Sequence, residues 1–101
     1  MTTLVRLQRW YAAQCDSHWE HAYGIKIDTL DNPGWSITID LEGTSLEGLI
    51  FDKMSIERSE TDWLVCRVEK EQFLADGGAQ NLDEMLTLFL DWAERYTQSV
   101  R

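Results

Sequence analysis

The sequence predicts an α+β domain, an antiparallel sheet of four to five strands flanked by an N-terminal and a C-terminal helix packed on one face. Three observations carry this. Residues 23–41 alternate apolar and polar around a turn, residues 50–70 repeat that arrangement less cleanly, and helical spacing is confined to the two ends. With 101 residues, 44% of them hydrophobic and 5 of them Trp, the chain makes one domain (1–101) around one core.

Leu4 to Gln14 places Leu4, Leu7, Trp10 and Tyr11 at helical spacing, with Thr3 as N-cap and Arg6, Gln8 and Arg9 outward. Cys15 to Ala22 shows neither period and reads as a connector carrying Trp19. From Tyr23 to Leu41, Tyr23, Ile25, Ile27 and Thr29 share one face of a first arm, and Trp35, Ile37, Ile39 and Leu41 share one face of a second. The turn between them is Asp31-Asn32-Pro33-Gly34. There Pro33 presets φ, Gly34 can take a positive φ, and the Asx side chains can bond their own backbone. Glu42 to Ser45 ends the second arm, and Gly43 and Gly48 mark a loop.

Ile50 to Arg58 and Trp63 to Lys70 read as a second hairpin around Ser59-Glu60-Thr61-Asp62, with Asp52 marking a bulge. Leu64, Cys66 and Val68 are taken as core-facing, which leaves Trp63 and Val65 on the open face. Glu71 to Ala75 adds a short edge strand or a turn, and Asp76 to Gln80 reads as a loop. Asn81 then caps a helix with Glu84 as its capping-box partner. Leu82, Met85, Leu86, Phe89, Ala93 and Tyr96, widened by Trp92, form its buried stripe, and Arg95 and Arg101 fall at or beyond its negative end.

Eighteen acids against nine bases give a net charge of −9. Ten of those acids and four bases lie in residues 35–76. Such an excess argues against a direct nucleic-acid binder, which needs cations for phosphates, and suits a basic protein partner. No apolar run reaches membrane-span length and no signal-peptide pattern opens the chain. The two cysteines fit a reducing cytosol, so the expected location is cytoplasmic, with no membrane partner.

Catalytic chemistry finds little to stand on. Cys15, His18 and His21, with Cys66 as a distant fourth, are the one metal-like cluster, but their spacing matches no zinc signature. The structural alternative is a buried cysteine and two connector histidines. Gly43-Thr44-Ser45 lacks the strand–turn–helix setting of a hydrolase nucleophile, and Gly77-Gly78 lacks the lysine of a phosphate loop. Glu20 and His21, adjacent in an extended segment, point apart. No catalytic residue and no cofactor are therefore assigned. What remains is the open face of the sheet, which carries Ser36, Thr38, Asp40, Phe51, Glu57, Trp63, Val65 and Glu69 on this reading. Aromatic anchors rimmed by carboxylates suit a basic partner; the alternatives are a solvated face or a homodimer contact.

Trp10-Tyr11, Gln14-Cys15-Asp16, Trp19-Glu20-His21, Tyr23-Gly24-Ile25 and above all Thr29 to Trp35 (TLDNPGW) resemble the immunity protein 53 family of bacterial polymorphic toxin systems. Ile39-Asp40-Leu41, Gly43-Thr44, Glu57-Arg58, Asp62-Trp63, Asn81-Leu82 and Phe89-Leu90-Asp91-Trp92 extend the likeness over nearly the whole chain. One departure is Ser17-His18, where the likeness leads us to expect Gly-Asp. The resemblance implies a small cytosolic protein that binds and neutralises a cognate toxin, supplies no catalytic residue, and need not share its contact residues across the family. With the acidic bias, a nuclease is the natural target. The rival readings are a small metal-dependent enzyme using Cys15, His18, His21 and Cys66, and a homo-oligomeric scaffold.

Overall fold

The structure, a computed structural model, describes residues 1–99, with side chains through Tyr96. The order is α1 (Thr3–Gln14), α2 (Trp19–Ala22), β1 (Ile25–Leu30), β2 (Gly34–Asp40), β3 (Met54–Glu57), β4 (Trp63–Glu69), β5 (Gln72–Gly78) and α3 (Leu82–Ser99). All five strands form one antiparallel sheet in the order β1-β2-β5-β4-β3. The α+β architecture expected from the two periodicities is the one observed. Arg101 lies outside the described residues.

The largest correction concerns β5. Residues 71–75 read as an edge strand or a turn, and residues 76–80 as a loop, yet Gln72–Gly78 is the central strand, paired along its length with β2 and β4. Two features hide it. Lys70 and Glu71 make the β4–β5 turn with φ of 52° and 58°, so a tight hairpin turn is built without the Asn-Gly or Asp-Gly signal that usually announces one. The two glycines that look like a loop are where neighbours crowd in. A Cβ on Gly77 would lie 2.9 Å from both the Met85 sulfur and the Trp63 carbonyl oxygen.

Smaller differences follow from the same packing. β3 begins at Met54, so Asp52 falls outside it and needs no bulge. Thr2, one residue before the expected Thr3, caps α1, its Oγ1 accepting from the Val5 N–H at 3.2 Å. Asn81 stands just before α3 and its carbonyl accepts from the Met85 N–H at 3.0 Å, but its side chain accepts nothing from the first turn. Its amide instead donates to Asp62 and Glu84, and its own Oδ1 is buried without a partner. Gly34 has an extended backbone, outside the positive-φ region the turn reading gave it, and the Asn32–Pro33 peptide is cis.

Both long helices cover the same side of the sheet. Leu7 and Trp10 of α1 and Met85, Leu86, Phe89, Leu90, Trp92 and Ala93 of α3 meet Ile37, Ile39, Leu64, Cys66, Phe73 and Ala75 from the strands. Ring contacts run through this layer. Phe89 packs at 5.0 Å on both Trp10 and Phe73, and Phe51 packs at 5.5 Å on Phe73 and 5.2 Å on Trp92. Three indoles also tie the connections down. Trp19 donates to the Glu42 carbonyl, Trp92 to that of Ile50 and Trp35 to that of Ala79, so both ends of the long 41–53 crossover are pinned. α1 is held to α3 by Arg6, whose guanidinium meets Asp91 at 2.8 Å and Glu94 at 2.9 Å.

Candidate functional site

With both helices on one side, the opposite face of the sheet is left uncovered. Strand alternation and register decide what it shows. One row runs Lys26, Thr38, Leu74, Arg67 and the next Asp28, Ser36, Asp76, Val65, Ser55. Asp40, Gln72 and Glu69 stand side by side at one end, and Trp63 faces Glu57 towards the other. The carboxylates of Asp28, Asp40, Glu57, Glu69 and Asp76 outnumber the cations of Lys26 and Arg67, and Arg67 already stands 3.8 Å from Glu69. Trp63, Val65 and Leu74, each half-buried among its neighbours, supply the apolar ground between them.

Asp40, Glu57, Trp63 and Glu69 therefore lie on one face, as the alternation predicts. Phe51 does not: it precedes β3 and turns to the helix side, where Phe73 and Trp92 enclose it. Asp40 is also committed within the fold. Its Oδ2 accepts from the Gly24 N–H at 2.9 Å and its Oδ1 from the Gln72 amide at 2.8 Å, which fixes the start of β1 beside β2. Leu74 and Asp76 of β5 join this face beside Lys26 and Asp28, which the alternation of the first arm already sets opposite Ile25, Ile27 and Thr29. The alternation of Gln72, Leu74 and Asp76 with Phe73, Ala75 and Gly77 carried the signal, and the glycines obscured it.

Beyond Asp40 the anionic character continues onto the crossover. The Tyr23 phenol donates to Glu42 at 2.7 Å and is held above its ordinary pKa, first by that bond, then by burial, then by the charges of Glu42, Asp40 and Glu47. At the other end of the sheet Arg58 joins Asp62 at 2.9 Å and Glu84 at 2.7 Å, linking the 59–62 turn to the start of α3. Glu84 is lowered chiefly by Arg58, and Asp62 by the Asn81 amide and then Arg58.

The residues of the metal-like cluster are not brought together. Cys66 is fully buried in β4, and burial, then the charges of Glu84 and Asp76, pushes its thiol up to about 12. The Cys15 thiol donates to the Tyr11 carbonyl, while His18 and His21 are exposed on the α2 segment. Among the described residues no group of three or more His, Cys, Asp and Glu is placed to hold a metal ion. The α2 segment has a local structural logic instead. Asp16 accepts from the N–H groups of His18 and Trp19, Glu20 accepts from those of Asp16 and Ser17, and Trp19 is thereby set into the core. Ser17 takes φ 79°, a conformation that favours glycine, which accounts for the glycine expected at that position.

The family model for immunity protein 53 matches residues 4–94, from the first turn of α1 to the last turns of α3. The chain belongs to the immunity protein 53 family. The match takes in every strand and most of the two long helices that cover the other face of the sheet. No curated protein and no solved structure is matched. Membership gives the chain an immunity-protein role. Among the described residues, no helix is long and apolar enough to cross a membrane.

Proposed function

We propose that this immunity protein neutralises a cognate toxin by docking the uncovered face of its sheet on it and excluding the toxin's substrate, without turnover. One observation carries the reading. Both helices bury one face, and the other presents Trp63, Val65 and Leu74 among the carboxylates of Asp28, Asp40, Glu57, Glu69 and Asp76. A half-buried indole on a flat strand surface loses little side-chain freedom on binding, and a carboxylate excess steers a cationic partner into register. A nuclease is the natural target, because its active site already carries cations for phosphate. The chain acts in the cytosol, before the toxin reaches its substrate.

The test is co-expression with the toxin encoded beside it, with binding measured by surface plasmon resonance on purified proteins. Trp63→Ala should weaken the complex by ~2 kcal/mol, about 30-fold, mainly through faster dissociation. Glu57→Lys with Glu69→Lys should slow association and flatten its dependence on salt. A complex that forms equally well with both variants, or a toxin that kills cells despite binding, would remove this face from the mechanism.

A further inference from the structure

β1 is an edge strand whose outer side pairs with no other strand of the sheet. The Asp40 N–H donates to the Gly24 carbonyl at 3.1 Å, so Gly24, Lys26, Asp28 and Leu30 direct their backbone groups to β2. Alternation then sends the N–H and C=O groups of Ile25, Ile27 and Thr29 outward. The Thr29 N–H confirms the direction, since it is met only by the Asp28 carboxylate folded back over the strand edge at 2.8 Å. An incoming antiparallel strand must match outward residues with outward residues, which restricts two copies of β1 to a few registers.

Charge chooses among those registers. With Ile27 opposite Ile27 on the two-fold axis, Ile25 meets Thr29, and the outward backbone groups of the three residues pair once Asp28 releases the Thr29 N–H. In that register each Lys26 stands opposite Asp28 of the other copy, on the open face, in the closer-spaced type of cross-strand pair. Shifting by two residues one way sets Asp28 against Asp28, and the other way sets Lys26 against Lys26. Only the centred register is complementary.

The helix side of the same edge is apolar and unfilled. Ile27 is 41% exposed, and next to β1 runs a groove of about 380 Å³ lined by Leu7, Gln8 and Tyr11 of α1 with Gly24 and Ile25. Tyr11 is 40% exposed and Leu4, on the same stripe of α1, 64%. A two-fold axis normal to the sheet would bring Ile27 and Thr29 of a second copy towards the mouth of this groove. The other edge offers no such surface: β3 is only four residues long and turns outward just Ser55 and Glu57.

We infer that two copies of the chain associate through their β1 edges, centred on Ile27, into one continuous ten-stranded sheet with crossed Lys26–Asp28 pairs. The inference goes beyond toxin binding and does not depend on it, since Trp63 lies three strands away from the edge. Sedimentation equilibrium of the full chain reads it directly. The wild type should dimerise. Lys26→Asp or Asp28→Lys alone turns two attractive pairs repulsive and should raise the dimer dissociation constant roughly tenfold or more, while the double exchange should restore it. Ile27→Pro removes an outward N–H, together with the Ile27 side chain, from the centre of the seam and should abolish the dimer; if it fails to fold, the charge exchange alone decides. Trp63→Ala should leave the dimer intact. A chain monomeric at millimolar concentration, or a dimer indifferent to the charge exchange, overturns the inference. So does a monomer that loses toxin binding on Ile27→Pro, which would assign the edge to the toxin.

Discussion

Gly34 offers the sharpest test of the packing argument, because sequence and structure assign its glycine to different causes. Read as part of the Asp31–Gly34 turn, it is there to take a positive φ. In the fold it is instead the first residue of β2, buried and extended, opposite Gly78 of β5. A Cβ at this position would lie 2.2 Å from the Gly77 carbonyl oxygen and 3.4 Å from a Leu30 methyl. The nearer clash is with backbone, so no rotamer change relieves it and β2 must move away from the central strand. Overpacking costs about 1–3 kcal/mol, and a backbone obstacle puts Gly34→Ala at the upper end, about 3. At roughly 4–8 °C per kcal/mol, the melting temperature should fall by about 12–24 °C. Gly24→Ala is the control, as a Cβ there meets nothing within 4 Å and should change stability by less than about 0.5 kcal/mol. Urea unfolding should show a lower midpoint with an unchanged slope. Asparagine separates the two causes. It tolerates positive φ better than alanine but is larger, so Gly34→Asn should be at least as damaging as Gly34→Ala. An asparagine variant that recovers stability, or an alanine variant as stable as the Gly24 control, would refute the steric account.

Two further outcomes follow from the site's electrostatics and burial. Asp62 and Glu84 have folded pKa values below their ordinary ones, so the stability they contribute is present above about pH 4–5 and lost as pH falls through the folded values. Arg58→Met removes the main cause for Glu84 and a secondary one for Asp62, so the stability gap between wild type and variant should be widest near neutrality and close in acid. A gap that stays constant down to pH 2 would show that Arg58 acts through packing alone. Thiol titration should count one reactive cysteine in the folded chain, the partly exposed Cys15, and two after denaturation, because buried Cys66 forms no thiolate near neutral pH. Rapid labelling of both in the native state would contradict the burial of β4.

Local chemistry alone settles much of this protein. Period-two alternation in Ile25–Thr29 and Trp35–Leu41 identifies the first hairpin and its core face. The stripe from Leu82 to Tyr96 identifies α3, and the Leu64-Cys66-Val68 set leaves Trp63 outward as observed. Those signals are legible because each depends on residues within a few positions of one another. The string from Thr29 to Trp35 likewise marks the family without any coordinates.

Tertiary structure decides what rests on distant partners. β5 is central because Gly77 admits Met85 from α3 and a Lys70-Glu71 turn folds it back on β4, and no composition rule for strands announces either. Phe51 leaves the open face because Phe73 and Trp92, 22 and 41 positions along the chain, make a better home for its ring than water does. The edge role of β1, and with it the exposure of Ile27 beside the α1 groove, follows from strand order alone. Alternation tells which side chains share a face. Only the closing of long loops tells which face is covered and which edge is left to pair.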